Sequence, residues 1–227
     1  MEKQCKEILD SVLESYKNKG IDLSYIPSIV IERVEESPGL VTTQIENPPG
    51  KLKNQEEIRI KYIIGKCLGI EETMEEVIAR NPYQISKYIN RNLKTLYVNS
   101  FILEECPEEL ENAIPHDVWH LIESERKVIH SEPLIFESTA NYASFIGRKN
   151  ISDRTHIFPD FNKFKHKRLY KNISWYAYEA GAAIVTDIVE KEDGNDQLSK
   201  LLDLFVRKKI AEKYAQALEN FLKLRVQ

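Results

Sequence analysis

The chain has 227 residues, of which 32 are Lys or Arg and 36 are Asp or Glu, for a net charge of -4. That length is enough to bury a substantial core in one domain or two closely joined lobes, and the interspersed charges leave no basic footprint for nucleic acid or an anionic membrane surface. The cysteines, Cys5, Cys67 and Cys106, are far apart and odd in number, so neither a disulfide framework nor a CxxC metal clamp is expected.

From the start, Ile8, Leu9, Val12, Leu13 and Tyr16 form the apolar stripe of a first helix that stops at Gly20. The first residues are charged where a secretory signal would be apolar, and no run approaches the ~18 apolar residues of a membrane span. A soluble, cytoplasmic protein is the expectation. Ile29 to Val34 and Leu40 to Ile45 are rich in branched residues and flank Ser37-Pro38-Gly39, which predicts two strands paired as a hairpin. After Asn47-Pro48-Pro49-Gly50, helices are predicted over 54–68, 71–80 and 82–93, then a short strand at Thr95-Leu96-Tyr97-Val98-Asn99. The C-terminal third reads as an irregular stretch over 151–164, a helix over 174–191, and two further apolar faces at Leu198, Leu201, Leu202, Phe205 and at Ile210, Tyr214, Leu218, Phe221. Two lobes follow from this organisation, 1–150 and a helical 151–227. No Gly-rich phosphate loop or internal repeat occurs, which disfavours a nucleotide enzyme.

Chemistry concentrates in the middle of the chain, at Ile114-Pro115-His116-Asp117-Val118-Trp119-His120. Two imidazoles four residues apart on a helix share a face and can grip one metal ion. The acid after the first of them, Asp117, stands where the HExxH zinc-hydrolase helix carries the general base that acts on a metal-bound water. Pro107, Glu108 and Glu109 supply a helix start. At about 100° per residue, Ile114, Val118, Leu121 and Ile122 fall on one face, while Ala113, His116, His120 and Ser124 gather on the opposite face, expected to look outward.

A zinc site needs a third protein ligand. A metzincin would place a third His six residues after the second and a Gly in between, but position 126 is Arg and position 123 is Glu. An HD phosphohydrolase needs an earlier His, and none precedes His116. The stretch from Thr95 to Tyr142, with PEEL, HDVWHLIE and FESTANYAS in order, resembles the active-site half of the gluzincin metallopeptidases. The segment Tyr178-Glu179-Ala180-Gly181 and the helix after it are similar to a helix that recurs later in that group, so the likeness spans about 95–205. It implies an α+β, zincin-like fold in which 95–99 lines the cleft with a free edge, and a zinc-dependent peptidase. It also implies Zn2+ held by His116, His120 and Glu137, with Asp117 as base. Tyr178 is the favoured oxyanion donor by its place in Tyr-x-x-Gly, with Tyr176, His156 and His166 as alternatives.

The second helix fits that role on its own terms. Glu137, Ala140, Asn141 and Ser144 share a face, so the carboxylate is bordered by small residues that admit a neighbouring helix. Asn141 is placed to accept an imidazole N–H and fix a ring tautomer, and Gly147 offers a helix stop.

Two features depart from the family pattern. Asp117 has about 1.5 Å less reach than Glu, and misplacing a catalytic group by about 1 Å costs on the order of a hundredfold in rate. Pro115 removes a helical hydrogen bond, a defect of about 3 kcal/mol, so the helix is expected either to kink there or to begin there. The leading expectation is a zinc metallopeptidase acting on a peptide or protein substrate. Its alternative is a non-catalytic zinc-binding or peptide-binding protein on the same scaffold. A third reading pairs Asp117 with His120 and Asp153 with His156 as DxxH motifs of a di-metal oxidase, and the branched hairpin segments count against its all-helical bundle.

Overall fold

Helix α1, Glu2–Lys17, buries Cys5, Leu9, Val12 and Tyr16, a spacing of four, three and four that keeps one stripe against the core. It ends as the apolar stripe does: Gly20 takes φ +73°, the Gly20 N–H bonds the Lys17 carbonyl and the Ile21 N–H reaches back to Tyr16. Those two bonds and the left-handed glycine make a Schellman stop, sealed by burial of Ile21. The protein is described from a computed structural model over residues 1–34, 40–43, 92–105, 107–128, 133–147, 185–186, 189, 197–203 and 206–210. The helices expected over 54–91, most of 151–196 and the apolar face expected at Tyr214, Leu218 and Phe221 lie outside the described residues, and positions 92 and 93, expected to end a helix, are not helical.

Three strands form one mixed sheet in the order β1-β3-β2, with β1 at Ser28–Glu32, β2 at Val41–Thr43 and β3 at Thr95–Asn99. All three strands fall where the sequence places them, but their pairing differs. β1 runs parallel to β3 and β2 runs antiparallel to it, so the expected β1–β2 hairpin does not form. The physical reason is burial. Every residue of β3 is buried while β1 alternates between exposed and half-buried positions, so β3 takes the centre and β1 is left with its other side unpaired among the described residues. Ser37-Pro38-Gly39 reads as a turn, but a turn does not choose which strand lies beside its arms. The free cleft edge expected of 95–99 is likewise corrected, because both of its edges are paired. Among the described residues the antiparallel edge strand next to the helix over Leu110–Arg126 is β2.

Asn99 ends β3 and starts the next helix. Its side-chain oxygen accepts the Phe101 N–H and the Val34 N–H, and its amide donates to the Val34 carbonyl at 2.7 Å. Helix α2, Ser100–Glu105, leads to a 3-10 turn at Pro107–Glu109 and then to helix α3, Leu110–Arg126. α3 runs through Pro115 without a break, and so begins before it. Glu111, whose carbonyl loses its partner, is exposed where water can serve instead. Helix α4, Pro133–Gly147, packs along α3, and a short helix α5, Gln197–Leu201, lies against α4.

One side chain ties the two central helices to α1. The Tyr16 hydroxyl, fully buried, lies 3.2 Å from the Pro115 carbonyl on α3 and 3.1 Å from the Ala143 carbonyl on α4, and its ring meets Trp119 edge-on at 5.9 Å. A single buried phenol thus bonds to both helices that carry the candidate ligands. The same core cluster takes in Leu96 and Val98 from β3, Ile114 and Val118 from α3, and Val185, Val189, Leu198, Leu201 and Ile210 from the C-terminal part. No helix among the described residues is long and apolar enough to cross a membrane.

Candidate metal centre

α3 carries His116, Asp117 and His120, and α4 carries Glu137; packing the two helices side by side brings the three expected ligands together. His116 Nε2 lies 2.9 Å from Glu137 Oε2 and 3.0 Å from His120 Nε2, and the third side, His120 Nε2 to Glu137 Oε2, is 3.5 Å. A tetrahedral ion about 2.0–2.1 Å from each of three donors would hold them about 3.3–3.4 Å apart. The triangle is that size to within a few tenths of an ångström.

The other ring nitrogens are already occupied, which decides what faces the centre. His116 Nδ1 lies 2.6 Å from Asn141 Oδ1 and His120 Nδ1 lies 3.1 Å from Glu123 Oε2. Both partners are acceptors, so each Nδ1 carries a hydrogen and each Nε2 offers a lone pair. Two lone pairs and a carboxylate oxygen within 3.5 Å repel one another unless a cation or a proton sits among them. A divalent ion satisfies all three at once, and this donor set of two imidazoles and a carboxylate suits zinc. The centre is not sealed: the His116 and Glu137 side chains are 12% and 26% exposed, whereas His120 is 7% exposed. Three protein donors with an accessible side are the arrangement of a site that keeps a coordination position for solvent or substrate.

The expectation that the histidine face of α3 looks outward is corrected. His120 is buried, its ring stacks on Phe136 at 3.9 Å and 14°, and Glu123 one turn on has no exposed surface. α4 packs along α3 and closes that face at His120, while Ala113, His116 and Ser124 stay half-buried. Asn141 bonds His116 as its place on the helix predicts. Tyr178, Tyr176, His130, His156, His166 and Asp153 lie outside the described residues.

Burial and charge set the protonation of the cluster. Asp117 is buried, and loss of water pushes its carboxyl up to about 6, against the lowering pull of His116 and His120; Glu137 raises it and the Thr43 N–H lowers it. Thr43 belongs to β2, so a backbone N–H of the edge strand favours the ionised form of Asp117. For Glu137, burial opposes ionisation, but the His120 charge and hydrogen bonds from His116 and His120 hold it well below the usual carboxylate range. For His120, burial opposes charge, but Glu137 and the hydrogen bonds to Glu123 and Glu137 win and raise it to about 10. Without metal, therefore, an imidazolium proton occupies the centre at neutral pH. Zinc requires a neutral ring, so loading at about pH 7.5 is expected to release about one proton per ion, with apparent affinity climbing about tenfold per pH unit between about 6.5 and 8.5. Calorimetry in buffers of different ionisation enthalpy measures this; zinc binding without proton release would remove His120 from the ligand set.

Glu123, Thr139 and Arg207 were not singled out by the sequence reading. Glu123 stands three residues after His120, a helical neighbour that an i,i+3 search of the motif finds. Thr139 lies two residues past Glu137 on a helix without such spacing, and Arg207 is 84 residues from Glu123, so no local signal connects either to the site. Comparison of the chain with protein-family models, with curated proteins and with solved structures gives no match in any of the three.

Proposed function

We propose that the protein is a zinc-dependent hydrolase of peptide bonds, a zincin-like metallopeptidase with Asp in the place of the usual Glu. The observation that carries this reading is the donor triangle of His116, His120 and Glu137 with a buried carboxylate, Asp117, beside it. A zinc ion held there supplies Lewis acidity toward a peptide carbonyl and lowers the pKa of a water molecule. Asp117 accepts the proton of the attacking water and returns it to the leaving amine, a task suited to a carboxyl shifted upward toward neutral pH. Asn141 and Glu123 keep both imidazoles in the tautomer whose Nε2 faces the centre. Tyr178 is the proposed donor to the developing oxyanion, and an extended peptide the proposed substrate.

A second reading, a zinc-binding protein without turnover, is favoured by Asp117 itself. Its side chain has about 1.5 Å less reach than Glu, which limits how far it can lean toward a water. One experiment separates the two. Purified protein is analysed for metal, loaded with zinc, and incubated with a peptide library beside the Asp117→Asn and His120→Ala variants. About one zinc per chain is expected, with cleavage that drops about 10²- to 10⁴-fold in Asp117→Asn. A wild type that holds zinc and cleaves nothing would leave the binding reading standing, and iron at two per chain would sink both.

A further inference from the structure

His120 is held by a carboxylate that is itself held from three directions. Glu123 Oε2 faces His120 Nδ1 at 3.1 Å, while Glu123 Oε1 accepts from the Thr139 hydroxyl at 3.0 Å and from Arg207 Nη2. The Arg207 side chain is 1% exposed and that of Glu123 is 0% exposed, so the pair lies wholly inside the protein. Arg207 is in turn oriented by its Nε–H, which donates to the Leu201 carbonyl at the end of α5, and by its backbone N–H, which bonds the Asp203 carbonyl. The Thr139 hydroxyl also lies 2.9 Å from the Phe136 carbonyl, and the Phe136 ring stacks on His120.

A carboxylate has two oxygens and can rotate about its Cγ–Cδ bond. If Oε1 were unclaimed, the group could turn and either oxygen could drift from the imidazole. With Oε1 gripped by a guanidinium and a hydroxyl, Oε2 has one direction left, toward Nδ1 of His120. A guanidinium also neutralises the carboxylate's charge where no water reaches it, and an anion stranded there would carry a large desolvation cost. Buried ion pairs add little to stability when compared with apolar packing of the same volume. What this one does in addition is aim a metal ligand.

We propose that Arg207, acting through Glu123 with Thr139, is a positioning residue for the metal ligand His120, so that Arg207, oriented by Leu201, completes a centre whose ligands all lie between 116 and 137. The inference rests on the metal-site reading and not on peptidase activity. The relay runs from the Arg207 guanidinium to Glu123, from Glu123 to His120 Nδ1, and from His120 Nε2 to the ion. It couples ligand geometry to the seating of the C-terminal part, because Arg207 reaches Glu123 only when the carbonyl of Leu201 orients its side chain.

The test is zinc affinity of the full chain, measured by competition with a fluorescent chelator, together with the ¹⁵N-detected tautomer of His120 in the zinc-bound protein. The variants are Arg207→Met, Arg207→Lys, Glu123→Gln and Thr139→Val. Loss of an outer partner of a metal-bound histidine lowers affinity about 10- to 100-fold. That loss is expected for Arg207→Met and Glu123→Gln, with partial recovery in Arg207→Lys and a smaller loss in Thr139→Val. In the zinc-bound protein the wild-type ring should show a single form, Nδ1 protonated and Nε2 coordinated, and the weakened variants a mixture. Should Arg207→Met fail to fold, Thr139→Val decides the matter, since it keeps the buried charges paired and removes only one hold on Glu123. Folded variants that bind zinc as tightly as wild type with an unchanged tautomer overturn the proposal while leaving the metal site intact. A wild type with no zinc affinity overturns the site itself and this relay with it.

Discussion

Saturating zinc is expected to raise the melting temperature of the wild-type protein by about 8–16 °C, and to leave His116→Ala unmoved. A ligand that binds only the folded chain stabilises by about 4 kcal/mol at a thousand times its dissociation constant. For a protein of this length each kcal/mol moves the midpoint by about 2–4 °C. The gain comes from binding to the folded triangle of His116 Nε2, His120 Nε2 and Glu137 Oε2, with sides of 2.9, 3.0 and 3.5 Å, which the unfolded chain does not hold together. His116→Ala removes one corner and with it the partner of the Asn141 side-chain oxygen, so neither the ion nor the orientation of α4 against α3 retains its anchor there. Differential scanning calorimetry with zinc and with chelator measures the difference. A wild type whose midpoint is the same in both would mean that the three donors gather for packing reasons and take a proton in place of a metal.

The second large effect concerns the buried pair of Glu123 and Arg207. Arg207→Met is expected to lower stability by about 3–5 kcal/mol, because it leaves a carboxylate with no exposed surface beside a guanidinium that is no longer there. For Glu123 in the intact protein, burial opposes ionisation, but Arg207 and then the His120 hydrogen bond keep it below the usual carboxylate range, so it is an anion that the variant strands. Adding Glu123→Leu to Arg207→Met should restore most of the loss, since apolar groups of similar volume replace a buried pair at little net cost. The double-mutant cycle isolates that interaction as a coupling energy. Urea unfolding in chelator provides the numbers, and a single variant that loses less than about 1 kcal/mol would show that solvent reaches Glu123. Recovery of stability without recovery of zinc affinity in the double variant would separate the two roles of the pair, charge compensation and aim.

Much of the metal centre was legible because helices make it so. His116 and His120 stand one turn apart, and Glu137 with Asn141 stand one turn apart, so each helix presents its pair on one face whatever surrounds it. The same periodicity placed α1 and its glycine stop, and branched residues located all three strands to within two or three residues at their ends. Pairing was not legible. Which strand lies beside which depends on burial of both faces of β3, a property of the helices stacked on it and not of the turn at 37–39. Enclosure of the histidine face was equally hidden, since an amphipathic pattern assigns one face to the core and does not report that a second helix covers the other.

The linear order of residues was sufficient to nominate His116, His120 and Glu137 and the two helices that bring them together, because the spacing of an α-helix converts sequence separation directly into direction. Tertiary structure alone decided that β3 is central, that Tyr16 joins α1 to both α3 and α4, and that Arg207 meets Glu123 across 84 positions. Those contacts join segments with no fixed geometric relation along the chain, and only the packing of one shared core brings them into register.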